Sequence, residues 1–213
     1  GVLTLTNGIL DIRNFNLTLT GSASVSVSSP SSTKMIRTNG TRSDGGLTKV
    51  FTGTGSFTYP IGVSGKYTPA TINVSAASEF GSISVNPVNA KHPFVTATNA
   101  LSYYFEVRNT GFTGTKTLSS NFSYIQGDVV GGSTAELLYV GGYYTLNNPS
   151  SWTTSSLVDA LNNIIYFNNV NYIAGEYTAS VSFGSVQAFY SRTNGNWENA
   201  STWSNTSHSG AAA

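Results

Sequence analysis

The chain has 213 residues, only 9% of them charged, and ten Lys and Arg against nine Asp and Glu leave a formal net charge of +1. Nucleic acid or an anionic membrane would call for a basic stripe, whereas Lys and Arg are scattered singly here apart from the sparse group Lys34, Arg37 and Arg42, so both partners are excluded. Aromatic residues at 12% exclude a disordered chain, and abundant Thr, Val, Tyr and Phe with little charge favour strands over helices.

Residues 1–29 read GVLTLTNGILDIRNFNLTLTGSASVSVSS. Leu3 and Leu5, Leu10 and Ile12, Phe15, Leu17 and Leu19, then Ala23, Val25 and Val27 each alternate with polar residues, the period-two mark of half-buried strands. Breaks fall at Asn7-Gly8, Arg13-Asn14 and Gly21-Ser22. Such short strands describe either the rungs of a β-solenoid or a plain meander, and both readings stand. Residues 30–48 are polar and turn-rich. Asp44 beside Gly45 and Gly46 reads as a turn, because one carboxylate is far short of a calcium site.

From residue 47 the strands lengthen. We expect them at 49–54, 56–61, 67–74, 81–87, 101–108, 115–124, 135–140, 143–146, 151–154, 163–167 and 176–183, with one helical turn over 155–162. LSYYFEVR (101–108) alternates cleanly, and Glu106 two residues from Arg108 reads as a surface ion pair. The regular strand–turn spacing predicts an all-β protein: a short-strand solenoid-like or meander segment over 1–46, then an antiparallel β-sandwich over 47–187. The end of the chain, FYSRTNGNWENASTWS (189–204), carries Phe189, Tyr190, Trp197 and Trp203. Rings of that size must bury against something. We read residues 188–213 as a junction that clasps a neighbouring module or subunit, with capping of the chain's own core as the alternative. Leu3 and Leu5 are the matching contact residues at the other end. The chain opens at Gly1 without a methionine, as expected of a processed product or an excised piece.

Chemistry is hard to find. The two histidines are His92, beside Pro93 in an expected turn, and His208, in a polar tail, and no nucleophile elbow accompanies them. Glu79, Glu106, Asp128, Glu136, Asp159, Glu176 and Glu198 fall in no glycosidase-like pattern. There is no cysteine, no paired histidine and no Asp-rich loop. We therefore expect no catalytic residue, no metal and no cofactor. Tyr143, Tyr144 and Trp152 could stack on a sugar ring, or could fill the core.

Several segments carry a resemblance: TGSFTYPIGVSGKYTPATINV (54–74), SVNPVNAKHP (84–93), LSYYFEVRNTGF (101–112), GDVVGGSTAELLYVGGYY (127–144) and the Trp-containing stretch 189–204. In this order they resemble a module repeated in very large secreted surface proteins of Bacteroidetes-type bacteria, of the adhesin-like kind associated with type IX secretion. The resemblance covers most of the chain from residue 54 onward. It implies an extracellular, cell-surface location and a Trp junction followed by further Thr- and Val-rich strands like residues 1–29. It transfers no catalytic or ligand residue. The function expected is that of a non-enzymatic structural module, forming a fibre or stalk by end-to-end contact with copies of itself or adjacent modules. An adhesin-type module that binds surface glycans is the alternative. Neither reading involves nucleic acid or membrane insertion.

Overall fold

Residues 1–146, 151–184, 190–196, 198–204 and 209 are described by a computed structural model. The alternating N-terminal segments form β1 (Val2–Leu5), β2 (Leu10–Arg13), β3 (Asn16–Leu19), β4 (Ser24–Val27), β5 (Ile36–Thr38) and β6 (Gly46–Val50). All of their mutual pairings are parallel and skip two strands: β1 with β4, β2 with β5, and β3 with β6. The strand β8 (Ile61–Val63) continues the series against β5. Consecutive strands of this segment do not pair with one another, so a meander does not describe it. The register explains the alternation. Leu3 lies beside Val25, Leu5 beside Val27, Leu10 beside Ile36, Ile36 in turn beside Ile61, and Leu17 beside Leu47, so apolar side chains stack on apolar side chains.

The remaining strands are β7 (Gly55–Tyr59), β9 (Lys66–Tyr67), β10 (Ala70–Ala77), β11 (Ser82–Val88), β12 (Tyr104–Thr110), β13 (Lys116–Ser123), β14 (Val140–Thr145), β15 (Ser151–Leu157), β16 (Ile164–Val170), β17 (Gly175–Ser180), β18 (Tyr190–Ser191) and β19 (Trp203–Ser204). A seven-stranded sheet runs β15-β14-β17-β12-β11-β6-β3, and a four-stranded antiparallel sheet runs β16-β13-β10-β7. A second four-stranded sheet runs β2-β5-β8-β9. The expectation of purely antiparallel sheets is corrected. β3 joins the seven-stranded sheet in parallel to β6, because the N-terminal strands return in the same direction after each excursion.

Two local expectations also change. The expected strand at 135–140 begins instead inside a short helix, α1 (Gly132–Glu136), where buried Glu136 accepts hydrogen bonds from Tyr124 Oη (2.7 Å) and Gln126 Nε2 (2.9 Å). The expected helical turn at 155–162 is divided between β15 and a tight turn. There Asp159 accepts from both the backbone N–H and the side-chain amide of Asn162, a local bond that competes with helix.

One hydrophobic cluster runs from Leu19 to Ala179 and crosses the boundary expected between residues 46 and 47, which falls at the start of β6. Its centre joins the antiparallel sheet to the seven-stranded one. Phe122 of β13 stacks on Tyr177 of β17 with ring centres 4.6 Å apart, while Phe105 of β12 and Phe167 of β16 close in at 5.0 Å. Leu101, Tyr103, Phe105 and Val107 all point into this cluster, as their alternation predicts.

Candidate functional site

Strand periodicity puts Tyr177 in the core and turns Glu176 to the other face of the seven-stranded sheet. On that face one row crosses five strands: Trp152, Tyr144, Glu176, Glu106 and Asn86 are successive cross-strand partners. Two glutamates directly opposite one another repel. The turn at 41–45 and the segment 89–95 cover the row and neutralise it. Arg42 Nε sits 2.7 Å from Glu176 Oε1. The Arg108 guanidinium holds Glu106 and donates to the carbonyls of Arg42 and Asp44. The Asn86 side chain donates to the Thr41 carbonyl at 2.9 Å. Within the turn Asp44 accepts from the Thr41 N–H and hydroxyl, which is the turn role expected of it.

His92 completes the arrangement. Its Nε2 lies 2.8 Å from Glu176 Oε2, and its Nδ1 accepts the Phe94 N–H at 3.2 Å. Tyr104, Tyr144 and Trp152 surround the ring at 4.8–5.1 Å. Burial pushes the Glu176 carboxyl up, but the hydrogen bond and charge of His92 and the charge of Arg42 outweigh it and hold the group below the usual range. His92 and Glu176 are each 1% exposed. A histidine and a carboxylate in contact can relay a proton. Sealed under rings, these two hold the 89–95 segment and the 41–45 turn to the sheet.

The sequence-based candidates separate. Tyr143 and Tyr144 lie on opposite faces, and both are buried, at 6% and 2% exposed. Tyr143 stacks on Tyr172 at 3.9 Å and donates its hydroxyl to the Ala174 carbonyl. Tyr144 and Trp152 are brought together, with Phe183 packed on Trp152 at 4.3 Å. Glu106 and Arg108 do form their ion pair, but Glu106 is buried, so it is not a surface feature. The Arg42–Glu176–His92 group escapes sequence reasoning.

Leu3 and Leu5 are half-buried on β1 and pack against the core. Tyr190 and Trp203 lie on the β18–β19 ladder, each beside a serine of the other strand. Phe189 and Trp197 fall outside the described residues. β1, β2 and β3 each pair on one side only among the described residues. The Gly1 carbonyl accepts from Ser24, and the Asn14 carbonyl accepts from Gly45. Alternation along each strand therefore turns the backbone groups of Val2 and Thr4, and of Leu17 and Leu19, to the unpaired side. No group of three or more His, Cys, Asp or Glu converges as a metal site among the described residues. The chain matches no protein-family model, no curated protein and no solved structure.

Proposed function

We propose that this protein is a non-enzymatic extracellular structural module that builds a fibre or stalk by end-to-end contact between modules or subunits. The observation that carries this reading is the set of one-sided strands β1, β2 and β3. We read residues 1–50 as two stacked solenoid-like turns that run into a β-sandwich made by the four-stranded antiparallel and seven-stranded sheets. The parallel pairings that skip two strands support the first part, and the ring contacts between the sheets support the second. On the far side of the second turn, β6 and β8 are covered by antiparallel partners, β11 and β9. The first turn keeps its outer edges, with Val2 and Phe15 more than half exposed beside them. A free edge is a template for another strand, and contact that does not close on itself makes a filament. The resemblance to modules of large secreted surface proteins agrees with this reading. The glycan-stacking alternative at Tyr143, Tyr144 and Trp152 has less support, because the two tyrosines offer almost no free ring face.

Thr4→Pro tests it. The Thr4 N–H faces the unpaired side, so proline removes an edge donor and no ladder bond. Sedimentation velocity and negative-stain microscopy at rising concentration should find open-ended oligomers of the unaltered protein. T4P should stay monomeric with thermal unfolding unchanged. An unaltered protein that is monomeric at every concentration sinks the reading.

A further inference from the structure

We propose that the groove between β15 and β16 is a binding site for a neutral oligosaccharide. This goes beyond the end-to-end reading and does not depend on it. β15 is the last strand of the seven-stranded sheet and β16 the last of the four-stranded antiparallel sheet. Where these two edges face each other they leave a groove of about 680 Å³, lined by residues 153–156 and 166–172. That size suits a ligand of several rings.

The lining sets the ligand's chemistry. None of its residues is charged, so a phosphate, a carboxylate or an ammonium group would find no counter-charge. β15 lines it with Thr153, Thr154, Ser155 and Ser156, of which Ser155 already donates its hydroxyl to the Ser156 carbonyl, and the other wall lines it with Asn168, Asn169 and Asn171. Each hydroxyl and each amide both donates and accepts. A sugar hydroxyl does the same, so the two surfaces match without a fixed polarity. Two half-exposed rings, Tyr166 and Tyr172, supply the apolar faces on which pyranose C–H groups pack. Tyr172 is already held flat against Tyr143, at 3.9 Å and 13°, so ordering it on binding costs little.

The backbone points the same way. Pairing of β13 with β16 slips between Leu118 and Ser120, opposite Asn168 and Asn169. Asn169 takes a left-handed conformation at φ 54°, and its N–H donates to Ser119 Oγ at 3.1 Å. A bulge of this kind re-aims side chains, and strain held in place by neighbouring bonds clusters where ligands bind. Here it presents consecutive asparagines to the groove. A strand inserted between the two edges would instead want a regular row of apolar sockets, which this wall of hydroxyls and amides does not offer.

The test uses the full chain and hexamers of α-1,4-glucan, β-1,4-glucan, β-1,4-mannan and β-1,4-xylan, with a sulfated hexasaccharide as the charged counterpart, measured by titration calorimetry. Two variants locate the site. Asn169→Gly removes the amide and suits the left-handed backbone, so its fold should be at least as stable. Tyr166→Ala removes a ring. At least one neutral hexamer should bind, the sulfated one should not, and each variant should weaken binding about tenfold with unchanged thermal unfolding. No binding by any neutral hexamer at about 10 mM, well past the weakest useful affinity, overturns the proposal. Preference for the sulfated probe overturns it, and so does binding that survives both variants unchanged. Thr4→Pro leaves the groove intact, so failure of the end-to-end reading and failure of this site are separate outcomes.

Discussion

Glu176 meets two partners at once, the half-exposed Arg42 guanidinium and the buried His92 ring. It is one of five buried carboxylates, with Asp44, Glu106, Asp128 and Glu136, out of nine acidic residues in the chain. A protein so poor in charge therefore spends most of its carboxylates inside. Each is hydrogen-bonded to a partner from another segment, from its own strand or from its own turn. Removing one member of such a buried group strands the other. Glu176→Ala should destabilise by roughly 3–5 kcal/mol in urea unfolding. Arg42→Ala, where water can replace the lost partner, should cost about 1 kcal/mol or less. The folded pKa of Glu176 lies below its unfolded value of about 4.3, so its stabilising effect is present above that value and is lost as pH falls through the folded one. The urea midpoint should hold from pH 7 to pH 5 and fall below about pH 4. Glu176→Gln should shallow that acid limb, and an unchanged limb would remove this carboxylate from the explanation.

At the scale of the element, the parallel N-terminal pairs depend on turns that reverse the chain in little space. β6 begins at Gly46, with φ 79°, and a β-carbon there would run into the Val85 carbonyl of β11. Gly46→Ala combines a disfavoured backbone with a backbone clash and should cost about 1–3 kcal/mol, read as a lowered unfolding midpoint. Gly65→Ala is the control: its φ is also positive, at 76°, but a β-carbon there meets open space, so only the backbone term applies and the loss should be smaller. Strand identity was readable at this scale wherever apolar residues alternate, as in 1–27 and 101–108. The turn at 159–163 and the helix at 132–136 were not, because their conformations rest on bonds such as Asp159 to Asn162 and Tyr124 to Glu136 that no hydrophobic period signals.

For the whole molecule, one hydrophobic cluster unites the N-terminal turns with the larger sheets. β6 takes β3 on one side and β11 on the other, and β8 takes β5 and β9. Removing residues 1–45 would strip both strands of a neighbour and uncover Leu47 and Ile61, which are fully buried. The full chain should therefore melt in a single calorimetric transition, and the truncated one should lose that cooperative transition. Two independent transitions in the full chain, the second retained after truncation, would show instead that the N-terminal segment is a separate unit.

Period-two hydrophobicity, turn residues and the scarcity of charge were enough to determine an all-β chain, the place of most of its strands and the row from Leu101 to Val107 that faces the core. Those are local properties, set by which side of a strand each residue occupies. Three matters were left to tertiary structure: the parallel pairing of strands two apart, the meeting of Arg42, Glu176 and His92 across 134 residues of chain, and the groove between β15 and β16. Alternation assigns a residue to a face and says nothing about which strand becomes its neighbour. That choice is made by packing among segments distant in sequence, and it alone decides which polar groups are sealed inside and which edges remain open.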